Sequence, residues 1–176
     1  MTPAAKKTFQ LTGLLVLALV IASCGFQLRG MQHSVASRYE SVRLVTHGSD
    51  EPFFSVMKQQ LKNSGVKVSD DASATLEILE TRTQKRTASY SSRAKSAEFE
   101  LLKTVTFKFR LDDRELIMPM PLQARRSYLY RETAAVGKAE EERLLWQEMD
   151  DDLAQRILLA LQHTVREDTA QPEAAP

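Results

Sequence analysis

The sequence predicts an α+β domain: a two-layer sandwich in which two helices pack on one face of a four-stranded mixed, mainly antiparallel sheet. Three observations carry this reading. In the stretch from Ala97 to Leu111, Phe99, Leu101, Val105, Phe107, Phe109 and Leu111 alternate with polar residues, as in a strand with one dry face and one wet face. Near the C-terminus Trp146, Met149, Leu153, Ile157, Leu161 and Val165 recur every three or four residues, the spacing of one long amphipathic helix. The segments run strand, helix, strand, strand, strand, helix, and two helices can bury their stripes against one face of a four-stranded sheet while the other face stays polar.

Taken in order, the chain begins with an export-type leader, residues 1–23. Lys6 and Lys7 precede the twelve-residue apolar stretch Leu11 to Ala22, which ends in the small residues Ala22 and Ser23. A membrane-spanning helix of roughly 20 apolar residues would have to take in Ser23, Gly25 and Gln27, which argues against a permanent span. Ile21-Ala22-Ser23-Cys24 resembles the lipobox of bacterial lipoproteins, and Cys24 is the only cysteine of the chain. The resemblance implies that Cys24 becomes the lipid-modified first residue of the mature protein, palmitate included. Three acyl chains hold a protein durably, since each buried methylene contributes about 0.8 kcal/mol. Lipidation also accounts for an unpaired cysteine in an oxidising compartment. Gly25, in place of the aspartate that retains lipoproteins at the inner membrane, implies an anchor in the periplasmic leaflet of the outer membrane.

The domain itself is expected over residues 24–166. Val42 and Leu44 in "SVRLVTH" form one face of the first strand. Asp50 is the N-cap of the first helix, Pro52 lies in its first turn, Asn63-Ser64-Gly65 closes it, and Phe54, Met57 and Leu61 face the core. Ala74, Leu76 and Ile78 line one side of the second strand. The polar stretch "ASYSSRAKSAE" then reads as an exposed, mobile loop. In the third strand only Leu102 and Lys103 interrupt the alternation. Asp112, Asp113 and Arg114 turn the chain into a fourth strand, where Pro119 and Pro121 imply a sheet edge or a bulge. In the last helix Glu140 to Glu142 suit the positive N-terminus, and Asp150 to Asp152 read as a solvated face. The tail, residues 167–176, is expected to be disordered.

Without the leader, 22 basic residues stand against 23 acidic ones, so a general polyanion binder is disfavoured, and export excludes nucleic acid. Charge is unevenly spread. From Thr81 to Ala97 there are five bases (Arg82, Lys85, Arg86, Arg93, Lys95) and no acid, whereas Glu140 to Asp152 carries seven acids against Arg143. Two readings of the basic run stand side by side: it solvates a sheet edge and prevents edge-to-edge pairing, or it binds phosphates, Arg bidentately and Lys as a point charge. Catalysis has little support. His33, His47 and His163 are scattered without metal-ligand spacing, no serine lies in a nucleophile elbow, and the six glycines form no phosphate loop. No enzyme, metal or cofactor is expected.

The segment "CGFQLRG" (Cys24, Gly25, Phe26, Leu28, Arg29, Gly30), with "TASYSSRAKSAEFELLKTVTFKF" and "YRETAAVGKAEEERLLWQEM", resembles the LPS-assembly lipoproteins, the LptE family, and the likeness extends to about Val165. It implies a heterodimer with the outer-membrane β-barrel LptD, in which the lipoprotein plugs a wide polar lumen and assists insertion of lipopolysaccharide into the outer leaflet. It also implies a lipopolysaccharide-binding role for Lys138, and for Arg93 if the loop is shifted by one place. Charge alone adds Lys95, Arg86, Lys85 and Arg82. The alternative is a stand-alone lipopolysaccharide-binding outer-membrane lipoprotein. Phe26 and Leu28 either pack on the domain or barrel or form a short strand.

Overall fold

A computed structural model of the 176-residue chain describes residues 35–48, 50–90, 96–131 and 135–170. In chain order these form α1 (Val35–Arg38), β1 (Ser41–Thr46), α2 (Glu51–Asn63), β2 (Lys67–Val68), β3 (Ala74–Tyr90), β4 (Ser96–Leu111), β5 (Arg114–Arg131) and α3 (Ala135–Ala170). The leader, Cys24, Phe26, Leu28, Arg93 and Lys95 lie outside the described residues.

One sheet has the order β2-β1-β3-β4-β5. It is mixed: β1 runs parallel to both β2 and β3, while β3, β4 and β5 form an antiparallel meander. The sheet therefore has five strands where four were expected. The extra strand is the two-residue β2, too short to show a period of its own; it is laid beside β1 when α2 returns the chain, so that Lys67 N–H donates to Glu40 O and Ser69 N–H to Val42 O. The second and third strands are longer than expected, 17 and 16 residues, which leaves only residues 91–95 of the expected loop between them. Because β1 pairs only with Ala74 to Ile78 of β3, the far half of β3 is itself an open edge of a three-stranded ribbon.

The helices pack on one face. Asp50 caps α2 by accepting from Phe53 N–H at 3.0 Å, and Gly65 reverses the chain at φ +85°, a conformation that suits glycine. The buried stripe of α2 is Phe53, Met57 and Leu61; Phe54, expected inside, is only partly covered, because the helix is rotated by one residue from that expectation. α3 buries Met149, Leu153, Ala154, Ile157, Leu158 and Leu161 against Leu101, Val105, Phe107 and Phe109 of β4, with Trp146 partly covered at the rim. Tyr39 closes the end of the core through its hydroxyl, 3.0 Å from Thr164 Oγ1, and its ring, edge-on to Phe109. α3 continues to Ala170, four residues into the stretch expected to be disordered.

Lys103 does not interrupt β4. Leu101, Lys103, Val105, Phe107 and Phe109 all point inward, and Lys103 is 4% exposed. Its ammonium is 2.8 Å from Asp50 Oδ2, forms a second ion pair with Asp150, and lies 5.6 Å above the Phe53 ring. Asp150, expected on a solvated face, is buried here, since α3 turns it toward the sheet; Asp151 is exposed. Burial pushes the Asp150 carboxyl above its ordinary range, Lys103 opposes this, and the neighbouring Asp50 and Asp151 reinforce it.

Two outcomes follow. Gly65→Ala lowers stability by about 1–2 kcal/mol in urea denaturation, because its Cβ must sit at positive φ and meets Ala36 Cβ at 3.3 Å. Lys103→Met leaves two carboxylates facing each other in a dry site and costs about 3–5 kcal/mol at about pH 7. A carboxyl whose folded pKa is raised favours folding when protonated and loses that contribution as pH rises through the folded value. The deficit of Lys103→Met, read as a shift in denaturation midpoint, therefore shrinks as pH falls and Asp150 takes up a proton.

Candidate functional site

Strand periodicity decides where the predicted basic residues go. In the β3–β4 ladder Arg82, Gln84 and Arg86 pair with Thr104, Leu102 and Glu100, on the sheet face away from the helices, whereas Lys85 pairs with the buried Leu101 on the helix side. The run therefore does not form one patch. Arg82 reaches Glu80 at 2.6 Å, and Arg86 reaches both oxygens of Glu100 at 3.0 Å. Lys85 instead turns toward α3, where its ammonium is 2.6 Å from Glu142 and 4.5 Å from the centre of the Phe99 ring. Lys138, in the first turns of α3, ion-pairs with Glu141.

The basic segment and the acidic helix thus meet within the fold. Glu142 accepts from Lys85 and from the hydroxyl of Tyr128, whose ring stacks with Phe99 at 5.6 Å. Burial acts to raise the Glu142 pKa, but Lys85, Tyr128 and Trp146 together hold it below the ordinary value. Burial likewise acts to lower the Lys85 pKa, and Glu142 and Tyr128 more than offset it. The expectation that Glu140 to Glu142 sit at the positive helix end gives way to this arrangement: α3 begins at Ala135, a full turn earlier, and Glu142 faces the sheet.

The face away from the helices is polar and nearly self-neutralising. Glu77 is 8% exposed, with His47 at 3.2 Å, Lys108 at 3.4 Å and Arg110 at 3.3 Å around it. Glu100 lies between Arg86 and Arg125, the latter at 3.2 Å. On a pleated surface each acid sits between cross-strand neighbours, and here those neighbours supply the opposite charge. Sequence alternation located this wet face; which acid would lie between which bases depends on register, which the sequence does not display. Exposed Leu129 is a hydrophobic exception on the same face. Among the described residues no three His, Cys, Asp or Glu side chains cluster as metal ligands, and no helix is long and apolar enough to cross a membrane. A cleft between α2, β3, β4 and α3, lined by Thr81, Thr83, Trp146 and Pro52, has the Lys103 ion pairs as its floor.

Burial acts to raise the Glu77 pKa, but His47, Lys108 and Arg110 more than offset it and hold it below the ordinary glutamate value of 4.5. A carboxyl with a lowered folded pKa contributes stability above its unfolded value, and that contribution is lost as pH falls through the folded one. Acid titration of the denaturation midpoint therefore shows a loss below about pH 4.5, and Glu77→Gln shows a smaller one over the same range.

The family described as Lipopolysaccharide-assembly, LptE, matches residues 40–161. The LPS-assembly lipoprotein LptE of Photorhabdus laumondii is 30% identical over 155 residues, covering 86% of this chain and 84% of that protein. The corresponding protein of Pectobacterium atrosepticum is 28% identical over 147 residues, covering 81% and 79%. Among solved structures, a minor lipoprotein from Acinetobacter baumannii aligns with a TM-score of 0.59 at 27% identity over 78% of this chain and 98% of its own. The rare lipoprotein B from Shewanella oneidensis shares the fold, with a TM-score of 0.63 at 24% identity over 74% of this chain and 99% of its own. The sheet order, the two-helix layer and the match from Glu40 to Leu161 lead to one conclusion: this chain belongs to the LptE family of lipopolysaccharide-assembly proteins.

Proposed function

We propose that this chain is a non-catalytic outer-membrane lipoprotein, anchored through acylated Cys24, that works as a plug and assembly subunit of the lipopolysaccharide translocon together with the barrel LptD. The mature domain in this reading begins at Cys24 and ends near Arg166. The observation that carries the plug reading is the sheet face opposite the helices. A body seated in the lumen of a large barrel meets water and polar wall side chains, so its surface must be wet without being a single-sign field. Glu77 and Glu100, each flanked by bases, meet that requirement. Membership of the family supplies the link to lipopolysaccharide.

Lipopolysaccharide phosphates would be met from two sides. Lys138 and Lys85 lie toward α3, Arg82 and Arg86 on the opposite face, so a single phosphate cannot engage all four; Arg93 and Lys95 belong to the segment between Tyr90 and Ser96. Lys85 and Lys138 each already hold a glutamate of α3, Glu142 and Glu141, and the family resemblance is what singles out Lys138 for a phosphate contact.

Affinity-tagged full-length chain, solubilised from outer membrane in mild detergent, is expected to carry a large heat-modifiable barrel protein at fixed stoichiometry; recovery as a lone monomer overturns the plug reading. Lys138→Glu is expected to weaken lipopolysaccharide binding several-fold while the barrel stays bound. If instead the wild-type chain binds lipopolysaccharide fully and carries no barrel, the stand-alone lipoprotein is the correct reading. Mass spectrometry that finds the Cys24 thiol unmodified removes the anchor.

A further inference from the structure

A long, flat strand edge is a template for pairing with another chain. The ribbon made by β3, β4 and β5 has two such edges, since β5 ends the sheet and β1 leaves the far half of β3 uncovered. We propose that the middle of the β5 edge is closed against strand addition by a pair of arginines, Arg126 and Arg156, organised by one carboxylate, Asp152.

The parity of β5 supports this. Proline has no N–H, so Pro121 occupies a position whose nitrogen faces away from β4, and residues 123, 125, 127 and 129 share that orientation. Two carbonyls of this parity have side-chain donors. Arg156 NH1 donates to Gln123 O at 3.0 Å, and Arg126 NH1 donates to Arg125 O at 2.9 Å. Asp152 holds Arg156 in a bidentate pair, 2.9 Å to Nε and 2.8 Å to NH2, and lies 3.8 Å from Arg126 NH2. One acid of α3 thus binds Arg156 directly and lies within ion-pair range of Arg126, whose Nε is 4.0 Å from Glu148. A planar guanidinium with several donors can hold a carboxylate and cap a carbonyl at once; lysine cannot do so with the same geometry.

Other features act at the start of the strand. Pro119 and Pro121 remove donors, and the register shifts between Phe107 and Arg110 bend the strand out of a regular ladder. Ser127 to Arg131 has no such device, and there Ser127, Leu129 and Arg131 share the outward parity of Pro121. The far half of β3 has register shifts at Ile78/Glu80 and Thr87/Ser89 and carries Arg82, Lys85 and Arg86 with no acid after Glu80. The other end of the sheet, β2, has only two residues.

The inference concerns the chain alone and stands whether or not the barrel reading holds; joined to it, it says that a barrel would meet this protein without strand pairing at the middle of β5. The test uses the full-length chain in mild detergent, without a barrel, as wild type, Arg156→Gln, and Arg156→Gln with Pro121→Thr. Sedimentation velocity over a hundredfold range of concentration is expected to show one species for wild type, and association at least tenfold stronger for the double variant. Hydrogen exchange in the associated form is expected to show new protection at the amides of residues 123–129. A double variant that folds, by circular dichroism and a cooperative melt, and stays monomeric overturns the inference; so does association without protection at those amides. If the double variant does not fold, the single variant decides by the same two criteria.

Discussion

The buried ammonium of Lys103 holds the architecture to one arrangement. It sits on the inward face of β4, where its neighbours are Leu101 and Val105, and it is accommodated only because α2 brings Asp50 and α3 brings Asp150 to the same point. Asp50 does two things at once: one carboxylate oxygen caps α2 and the other meets the ammonium. The start of α2, the middle of β4 and the middle of α3 are therefore tied to a common position. An apolar layer tolerates some sliding of a helix over a sheet, whereas a desolvated ion pair does not, because any shift leaves a charge without its partner.

From that fixed point α3 is joined to the sheet by charge in both directions along its length. Toward its N-terminus Glu142 takes Lys85 and Tyr128; toward its C-terminus Arg156, held by Asp152 on the same helix, donates to Gln123 O of β5, and Asp152 lies 3.8 Å from Arg126 of that strand. The opposite charge fields of residues 81–97 and 140–152 are thus partly spent on the fold's own cohesion. This matters for function, because a base already holding a carboxylate offers fewer donors to a phosphate. Lys85 is the clearest case, and it moves from the ligand-binding reading of the basic run toward the structural one.

The two faces of the sheet perform different tasks. The inner face is closed by helices and carries the core; the outer face is wet, with acids held between bases. On the proposed plug reading, a subunit that lies against a β-barrel needs a surface that can be solvated and edges that do not recruit strands. The polar face, the short β2 and the capped β5 are consistent with both needs, and they arise from residues far apart in sequence.

The alternation of β4, the stripe of α3, the Asp50 cap and the Gly65 stop were legible in the chain, because each depends on residues within one or two turns of one another. So were the wet face and, in Pro119 and Pro121, an edge strand. That Lys103 lies inside, that Asp150 joins it, that Lys85 and Arg86 part to opposite faces with separate partners, and that half of β3 is an edge became visible once the elements were packed together. Packing likewise set Phe53 in place of Phe54 in the core and added β2. Each of these depends on the register between strands or on the rotation of a helix about its axis. Those quantities are fixed by contacts between residues tens of positions apart, which no local period encodes.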